Sequence, residues 1–201
     1  MSSPSFEFWF EFASTYSYLA AARVEAEARA RGVEVKWRPF LLGPIFSAQG
    51  WTDSPFNIYP AKGRYMWRDM ERWCGKYGLP LLRPSTFPRN GLLAARVACL
   101  AADERWCPEF VRATYRANFG EDREISKPEV IAEILASQRQ DAQDVIARAT
   151  SPENKDRLRR QSERASQLGI FGAPTFLAGE EMFWGNDRLE DALSYYREKI
   201  Q

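Results

Sequence analysis

Ser14, Thr15, Tyr16 and Ser17 crowd three hydroxyl-bearing side chains and a phenol into the point where the chain changes its period. Before them, Phe6, Phe8, Phe10 and Phe12 alternate with Glu7, Trp9 and Glu11, a two-residue period with aromatic side chains, which predicts a strand. After them, an alanine-rich stretch with Glu25 and Glu27 predicts a helix. A hydroxyl at such a junction lies beside the free N–H groups and the positive dipole end of the helix, where an anion is favoured. The same position suits a serine that only caps the helix, and the local sequence leaves both roles open. The chain contains no histidine, which removes Ser-His-Asp triads, Cys-His pairs and most zinc sites. Its chemistry must use hydroxyls, carboxylates, lysines, thiols or a group borrowed from a cofactor. Cys74, Cys99 and Cys107 form no C-x-x-C and no metal-ligand spacing, and read as small hydrophobes in a reducing compartment.

Two other short stretches carry candidate groups. Gly172-Ala173-Pro174-Thr175 precedes a predicted strand, where a proline is tolerated because no ladder donor is needed. Trp184-Gly185-Asn186-Asp187-Arg188 opens the last predicted helix, where Asn186 and Asp187 serve equally as a cap or as ligands for an amino-acid head group. Asn57 and Lys62 stand at the far end of an irregular stretch, as a turn residue and a helix start or as ligand contacts.

The elements that must position these groups follow in order. Gly32 stops the first helix, and Val33, Val35 and Trp37 alternate with charged residues in a second strand, predicted to lie parallel to the first through a right-handed crossover. Residues 41–61 read as a long loop punctuated by Gly43-Pro44, Gly50, Ser54-Pro55 and Tyr59-Pro60. Met66, Met70, Trp73 and Tyr77 then share one helical face, and residues 61–168 read as helical throughout, with Ser126-Lys127-Pro128-Glu129 as a capping box and Ser151-Pro152 as a further start. Residues 175–184 predict a β-hairpin, and Leu189, Leu193 and Tyr196 the buried face of a closing helix. The order is β-α-β, helices, β-β-α: an α/β chain with residues 1–60 and 169–201 forming one sheet domain and 61–168 an all-helical domain inserted in its middle.

Composition narrows the function. Lys plus Arg (28) balances Asp plus Glu (27), unlike a nucleic-acid-binding protein. No apolar run approaches the ~20 residues of a membrane span, and the N-terminal MSSPSFEF lacks the basic and apolar regions of an export signal, so a cytoplasmic, membrane-free protein is expected.

The stretches FEFASTYSYLA, SPFNIYPAKGRYMWRDMERW and GIFGAPTFLAGEEMFWGNDRL, taken together, resemble the 2-hydroxychromene-2-carboxylate isomerases, relatives of kappa-class glutathione transferases in the DsbA-like thioredoxin superfamily. The resemblance spans essentially the whole chain. It implies a thioredoxin-like sheet, glutathione as cofactor and a small aromatic carboxylate as substrate, a homodimer, and a cis-proline at Pro174. It also implies roles: Ser14 against the glutathione sulfur, Ala173 and Pro174 along its backbone, Asn186 and Asp187 on its γ-glutamyl end, and Asn57 and Lys62 as further contacts. Lys62 is a candidate for the substrate carboxylate and Trp51 or Phe40 for an apolar wall. Thr15 stands where the family usually has proline. Ser14 and Ser17 stand where a dithiol oxidoreductase has cysteines, and serine can neither attack nor resolve a disulfide, so disulfide chemistry is not expected. The expected reaction is isomerisation through a transient glutathione adduct. The alternatives are a kappa-like transferase that conjugates electrophiles permanently and a non-catalytic thioredoxin-fold binding or chaperone protein.

Overall fold

The computed structural model describes residues 5–199; residues 1–4, part of the segment read for an export signal, and 200–201 lie outside it. Four strands, β1 (Phe6–Phe10), β2 (Val35–Pro39), β3 (Thr175–Ala178) and β4 (Glu181–Trp184), form one sheet in the order β2-β1-β3-β4. β1 and β2 are parallel, joined by α1 (Thr15–Arg29) as the crossover, while β3 pairs antiparallel with both β1 and β4. Between β2 and β3 run α2 (Leu42–Ala48), α3 (Pro55–Ile58), α4 (Pro60–Tyr77), α5 (Leu92–Leu100), α6 (Cys107–Gly120), α7 (Pro128–Ser137), α8 (Ala142–Ala149) and α9 (Pro152–Gln167). A 3₁₀ turn at Asn186–Arg188 leads into α10 (Leu189–Lys199). The chain is thus α/β with a mixed four-stranded sheet and many helices.

β1 is buried on both faces, which its alternating sequence does not announce. Phe6, Phe8 and Phe10 pack with Trp37 and Phe176 into an aromatic cluster whose ring centroids lie 5.1–5.9 Å apart. Each such ring contributes ~1.5–3 kcal/mol by leaving water. The opposite face, carrying Trp9, is covered by Phe40, Ile45, Ala165, Ile170 and Leu177. Glu7 survives there because its carboxylate accepts from Trp9 Nε1 at 3.0 Å and twice from Arg38, at 3.1 and 3.0 Å. A buried charge needs such partners.

Several local expectations are revised. Residues 41–61 are not an open loop: α2 and α3 occupy much of it, with Ser54 capping α3 through the Phe56 N–H at 3.3 Å. α7 starts at Pro128 with Lys127, not Ser126, in the cap position and no side-chain cap; the Ser126 N–H turns back to Glu124 and the Ser126-Glu129 box does not form. Asp187 likewise makes no cap; it sits inside the 3₁₀ turn. The caps at Ser14 and Ser151 do form, with Ser17 and Asn154 N–H groups. α4 ends as its sequence implies, at Gly78 with φ +65°. Among the described residues no helix is long and apolar enough to cross a membrane, and no cluster could hold a metal ion.

The turn between β1 and α1 is tied to the helices by a polar chain. Asn118 donates to Phe12 O at 3.1 Å, and buried Arg89 donates to Asn118 O and Oδ1, both at 3.2 Å. Arg89 also donates to Arg123 O, Asp122 O and Glu124, and pairs with the Asp122 carboxylate. Both acidic partners are partly exposed and can rehydrate, so the cost of losing the guanidinium is set by the buried carbonyls it leaves unpaired, at ~1–3 kcal/mol each. Arg89→Ala is expected to lower unfolding free energy in urea by about 2–4 kcal/mol. Arg89→Lys, which restores the charge but not the fork of donors, should recover less than half of the loss.

Candidate active site

Strand direction brings the chemistry to one end of the sheet. β1 and β2 run parallel, so both end there; β3 is antiparallel, so it begins there; β4 returns antiparallel to β3, so it ends there. In register, Trp9 faces Thr175 and Thr175 faces Trp184. The segments that follow β1, β2 and β4 and the one that precedes β3 therefore converge. They line a cleft of about 1190 Å³, above the ~300–1,000 Å³ of ordinary small-molecule pockets.

Ser14 lines it, both cap and bridge. Its Oγ accepts the Ser17 N–H at 3.2 Å and donates to Ala173 O at 2.8 Å across 159 positions of sequence. Capping and a site role are thus compatible in one hydroxyl. The Ala173–Pro174 peptide bond is cis, as expected. The Ala173 carbonyl is not wholly free for a ligand, because Ser14 already occupies one of its lone pairs. Pro174 O accepts from Gly185 N at 3.0 Å, which fastens the segment after β4 to the start of β3. Gly172 is required there: a Cβ would lie 2.5 Å from Trp184 Nε1.

The other expected site residues divide. Asn186 is buried at the cleft wall, its Oδ1 accepting from Arg23 at 3.3 Å, while Arg23 stacks on Tyr77 and pairs with Glu190. Asp187 is exposed at the mouth beside Arg188. Lys62 lines the cleft from the first turn of α4, its ammonium 5.8 Å from the Phe56 ring centroid. Asn57 is not on the lining; its amide is used locally, donating to Asp53 and to Phe87 O at 3.1 Å. Of the two proposed aromatic walls, Trp51 lines the cleft, whereas Phe40 is buried in the core beyond β1 against Trp9. The apolar lining comes from Leu42, Phe46, Trp51, Phe87, Phe171 and Trp184. Phe171 and Trp184 make a tilted ring contact with centroids 4.9 Å apart while remaining about half exposed.

Two lining groups escape a reading of the sequence. Tyr16 donates to Asp69 at 3.0 Å, joining α1 to α4 at the cleft lining. Burial and the neighbouring Asp69 push its phenol up. Glu11, three residues before Ser14, accepts the Ala13 N–H on its carboxylate at 2.8 Å, and its backbone carbonyl accepts the Ser14 N–H at 3.0 Å. Burial raises its pKa to about 7, against the smaller opposing effect of the Ala13 and Ser14 N–H groups. The sequence signal was an acidic residue at the end of an aromatic strand; its burial depends on helices remote in sequence.

A carboxyl ionising at about 7 in the fold and 4.5 when unfolded binds its proton more tightly in the folded state. Its burial therefore costs nothing below 4.5, and the fold is progressively penalised as pH rises from 4.5 through 7. Glu11→Gln keeps an acceptor for Ala13 but cannot ionise. Its stability relative to wild type should rise over that window, by up to about 3 kcal/mol, and be flat outside it. Urea unfolding of both proteins at acid, neutral and mildly alkaline pH measures this.

Comparison with known proteins supports the resemblance. Residues 6–197 match the family model of the DsbA-like thioredoxin domain. A 2-hydroxychromene-2-carboxylate isomerase from Sphingobium xenophagum is 31% identical over 193 residues, covering 94% of this chain and 96% of that protein. Human glutathione S-transferase kappa 1 is 25% identical over 200 residues, covering 92% and 87%. A solved 2-hydroxychromene-2-carboxylate isomerase structure superposes with a TM-score of 0.85 at 26% identity, covering 94% of this chain and 92% of that one. With its serine at the junction of β1 and α1, its cis-proline opposite and its whole length matched, the chain belongs to the 2-hydroxychromene-2-carboxylate isomerase family of DsbA-like thioredoxin proteins.

Proposed function

We propose that the protein isomerises 2-hydroxychromene-2-carboxylate or a closely similar aromatic intermediate, with glutathione as a cofactor that is not consumed. The observation that carries this reading is the Ser14 hydroxyl at the head of α1, bonded to Ala173 O, in a chain with serine at both positions 14 and 17. A site of this shape with no thiol of its own suits a borrowed one. The donor set fits glutathione: a hydroxyl at a helix start for sulfur, a backbone segment at Ala173 for a peptide, and Asn186 and Asp187 beyond it, on the segment fastened to Pro174, for an amino-acid head. The volume leaves room for a second molecule. When bound, glutathione supplies a thiolate that adds reversibly to a conjugated double bond, so that rotation can occur about the resulting single bond.

The chain's residues have separate tasks in this reading. Ser14 turns its O–H from Ala173 O toward the sulfur and holds the anionic form, helped by the N-terminus of α1. Its Oγ keeps the Ser17 N–H as an acceptor, which orients the hydroxyl proton away from the helix. Ala173, Asn186 and Asp187 hold the peptide extended across the cleft. Lys62 offers a cation to the substrate carboxylate, and the Phe46, Trp51 and Trp184 side chains pack on its ring and exclude water.

The Ser14 exchange also bounds its worth. A hydrogen bond to a charged group contributes ~1.5–3 kcal/mol, and the neutral bond given up at Ala173 ~0.5–1.5. The difference is about 1–1.5 kcal/mol, or roughly five- to tenfold. Ser14→Ala is therefore expected to raise the bound thiol pKa by about one unit and to slow turnover at neutral pH about tenfold. Glutathione should remain bound. Ser17→Ala should change neither. Ultraviolet titration of the thiolate and calorimetric binding check this, and coincident titrations of wild type and Ser14→Ala would remove Ser14 from the site.

Product analysis tests the reaction itself. Incubation with 2-hydroxychromene-2-carboxylate should convert it with substoichiometric glutathione and leave the glutathione pool unchanged. Stoichiometric loss of glutathione into a stable conjugate would instead establish the transferase reading favoured by the kappa-class likeness. Absence of any glutathione binding would leave a non-catalytic binding protein.

A further inference from the structure

The cleft holds four carboxylates whose surroundings differ. Asp69 accepts the Tyr16 phenol, Asp53 accepts Ser54 N–H and the Asn57 amide, and Asp187 is exposed at the mouth beside Arg188. Glu11 alone of these lies on the turn that carries Ser14 and bonds only to backbone N–H groups of that turn. The titratable group packed against it is Tyr115 of α6, whose phenol donates to Glu11 O at 2.8 Å. Among the cations of the lining, buried Arg89 is held by Asp122 and Glu124 and Arg188 by Asp187 and Asp191, while Tyr16 is held by Asp69.

Resting on the glutathione reading above, we infer that Glu11 is the proton acceptor for the thiol that binds at Ser14, so that sulfur and carboxyl together hold one proton and one negative charge. The S–H bond breaks, an O–H bond forms on the Glu11 carboxylate, and the electron pair stays on sulfur. When the sulfur leaves the product, the same proton returns to it and the carboxylate is restored. No co-reactant is needed and the charge of the pair does not change.

The surroundings fit this task. Burial already makes Glu11 a better base than an exposed glutamate, raising its pKa to about 7. A thiolate beside it, being of like charge, strengthens its hold on the proton further. Ser14 stabilises the sulfur anion while Glu11 removes the proton, so the two residues act on opposite partners of one bond. An ordinary exposed carboxylate, with a reference pKa of ~4, is too weak a base to hold a thiol proton at neutral pH.

Glutathione binding is measured by calorimetry near pH 8 in buffers of different ionisation enthalpy, alongside the ultraviolet absorbance of the thiolate. Near that pH Glu11 is ionised in the free protein and a free thiol, with pKa ~8.5, is mostly protonated. Wild type should form the thiolate while releasing well under half a proton to the buffer. Glu11→Gln should either fail to form the thiolate or release close to one proton for each thiolate formed, and the acid limb of its turnover profile should move to higher pH. Glu11→Asp should restore retention in part. Equal absorbance and equal proton release in wild type and Glu11→Gln would overturn the assignment, leaving Glu11 as a turn residue only. Wild-type release matching the thiolate formed overturns it even if the glutamine variant does not fold. Failure of wild type to bind glutathione at all would overturn the parent reading, and this one with it.

Discussion

The antiparallel pairing of β1 with β3 is the constraint on which the rest depends. Its register, Trp9 opposite Thr175, obliges the chain leaving β1 to meet the chain entering β3. Ser14 and Ala173 are then neighbours although 159 positions apart. Because β2 is parallel to β1 and β4 antiparallel to β3, the segments around Leu42 and Asn186 arrive at the same end. The cleft is therefore a consequence of strand direction, and the aromatic packing of Phe6, Phe8, Phe10 and Phe176 holds the pairing in place.

That pairing also sets the electrostatics. The turn after β1 is pinned from one side by Ser14 to Ala173 and from the other by Asn118 to Phe12 O, with Arg89 behind Asn118. Tyr115 adds a third tie at Glu11 O. A turn held this tightly fixes the half-buried Glu11 carboxyl among backbone donors at the cleft wall. Burial opposes its charge while the turn's N–H groups favour it, and burial dominates. The same turn thus presents a hydrogen-bond donor at Ser14 and a titrating acceptor at Glu11, on a scaffold that fixes both.

Serine in place of cysteine at two positions changes what such a turn can do. In a dithiol protein the helix N-terminus stabilises the protein's own thiolate. Here the same field acts on whatever anion enters a cleft lined by aromatic residues. The half-exposed Phe171 and Trp184, in tilted contact, lie on the segment flanking Ala173 and at the end of β4, so this part of the apolar wall and the cis-proline segment are built around one hairpin.

Local chemistry was enough to determine several things from the sequence. The two-residue period of Phe6–Phe12, the stop at Gly78, the caps at Ser14 and Ser151 and the hairpin around Gly179 depend on neighbours within a few positions. The absence of histidine and the serines at 14 and 17 excluded whole classes of mechanism. The motifs at 172–175 and 184–188 marked cleft residues because the register of one sheet brings them to Ser14. Where competing partners were remote, the sequence misled. Ser126 loses its cap when its N–H turns to Glu124, Asn57 is drawn out of the cleft by Asp53 and Phe87 O, and Phe40 is covered by α9 and its neighbours. The sequence marks Glu11 only as one of the residues alternating with the phenylalanines of the first strand. Only the tertiary structure, by packing Tyr115 of α6 and the segment before β3 against the turn after β1, pushes the Glu11 carboxyl up to about 7, because desolvation belongs to the packed whole and to no local segment.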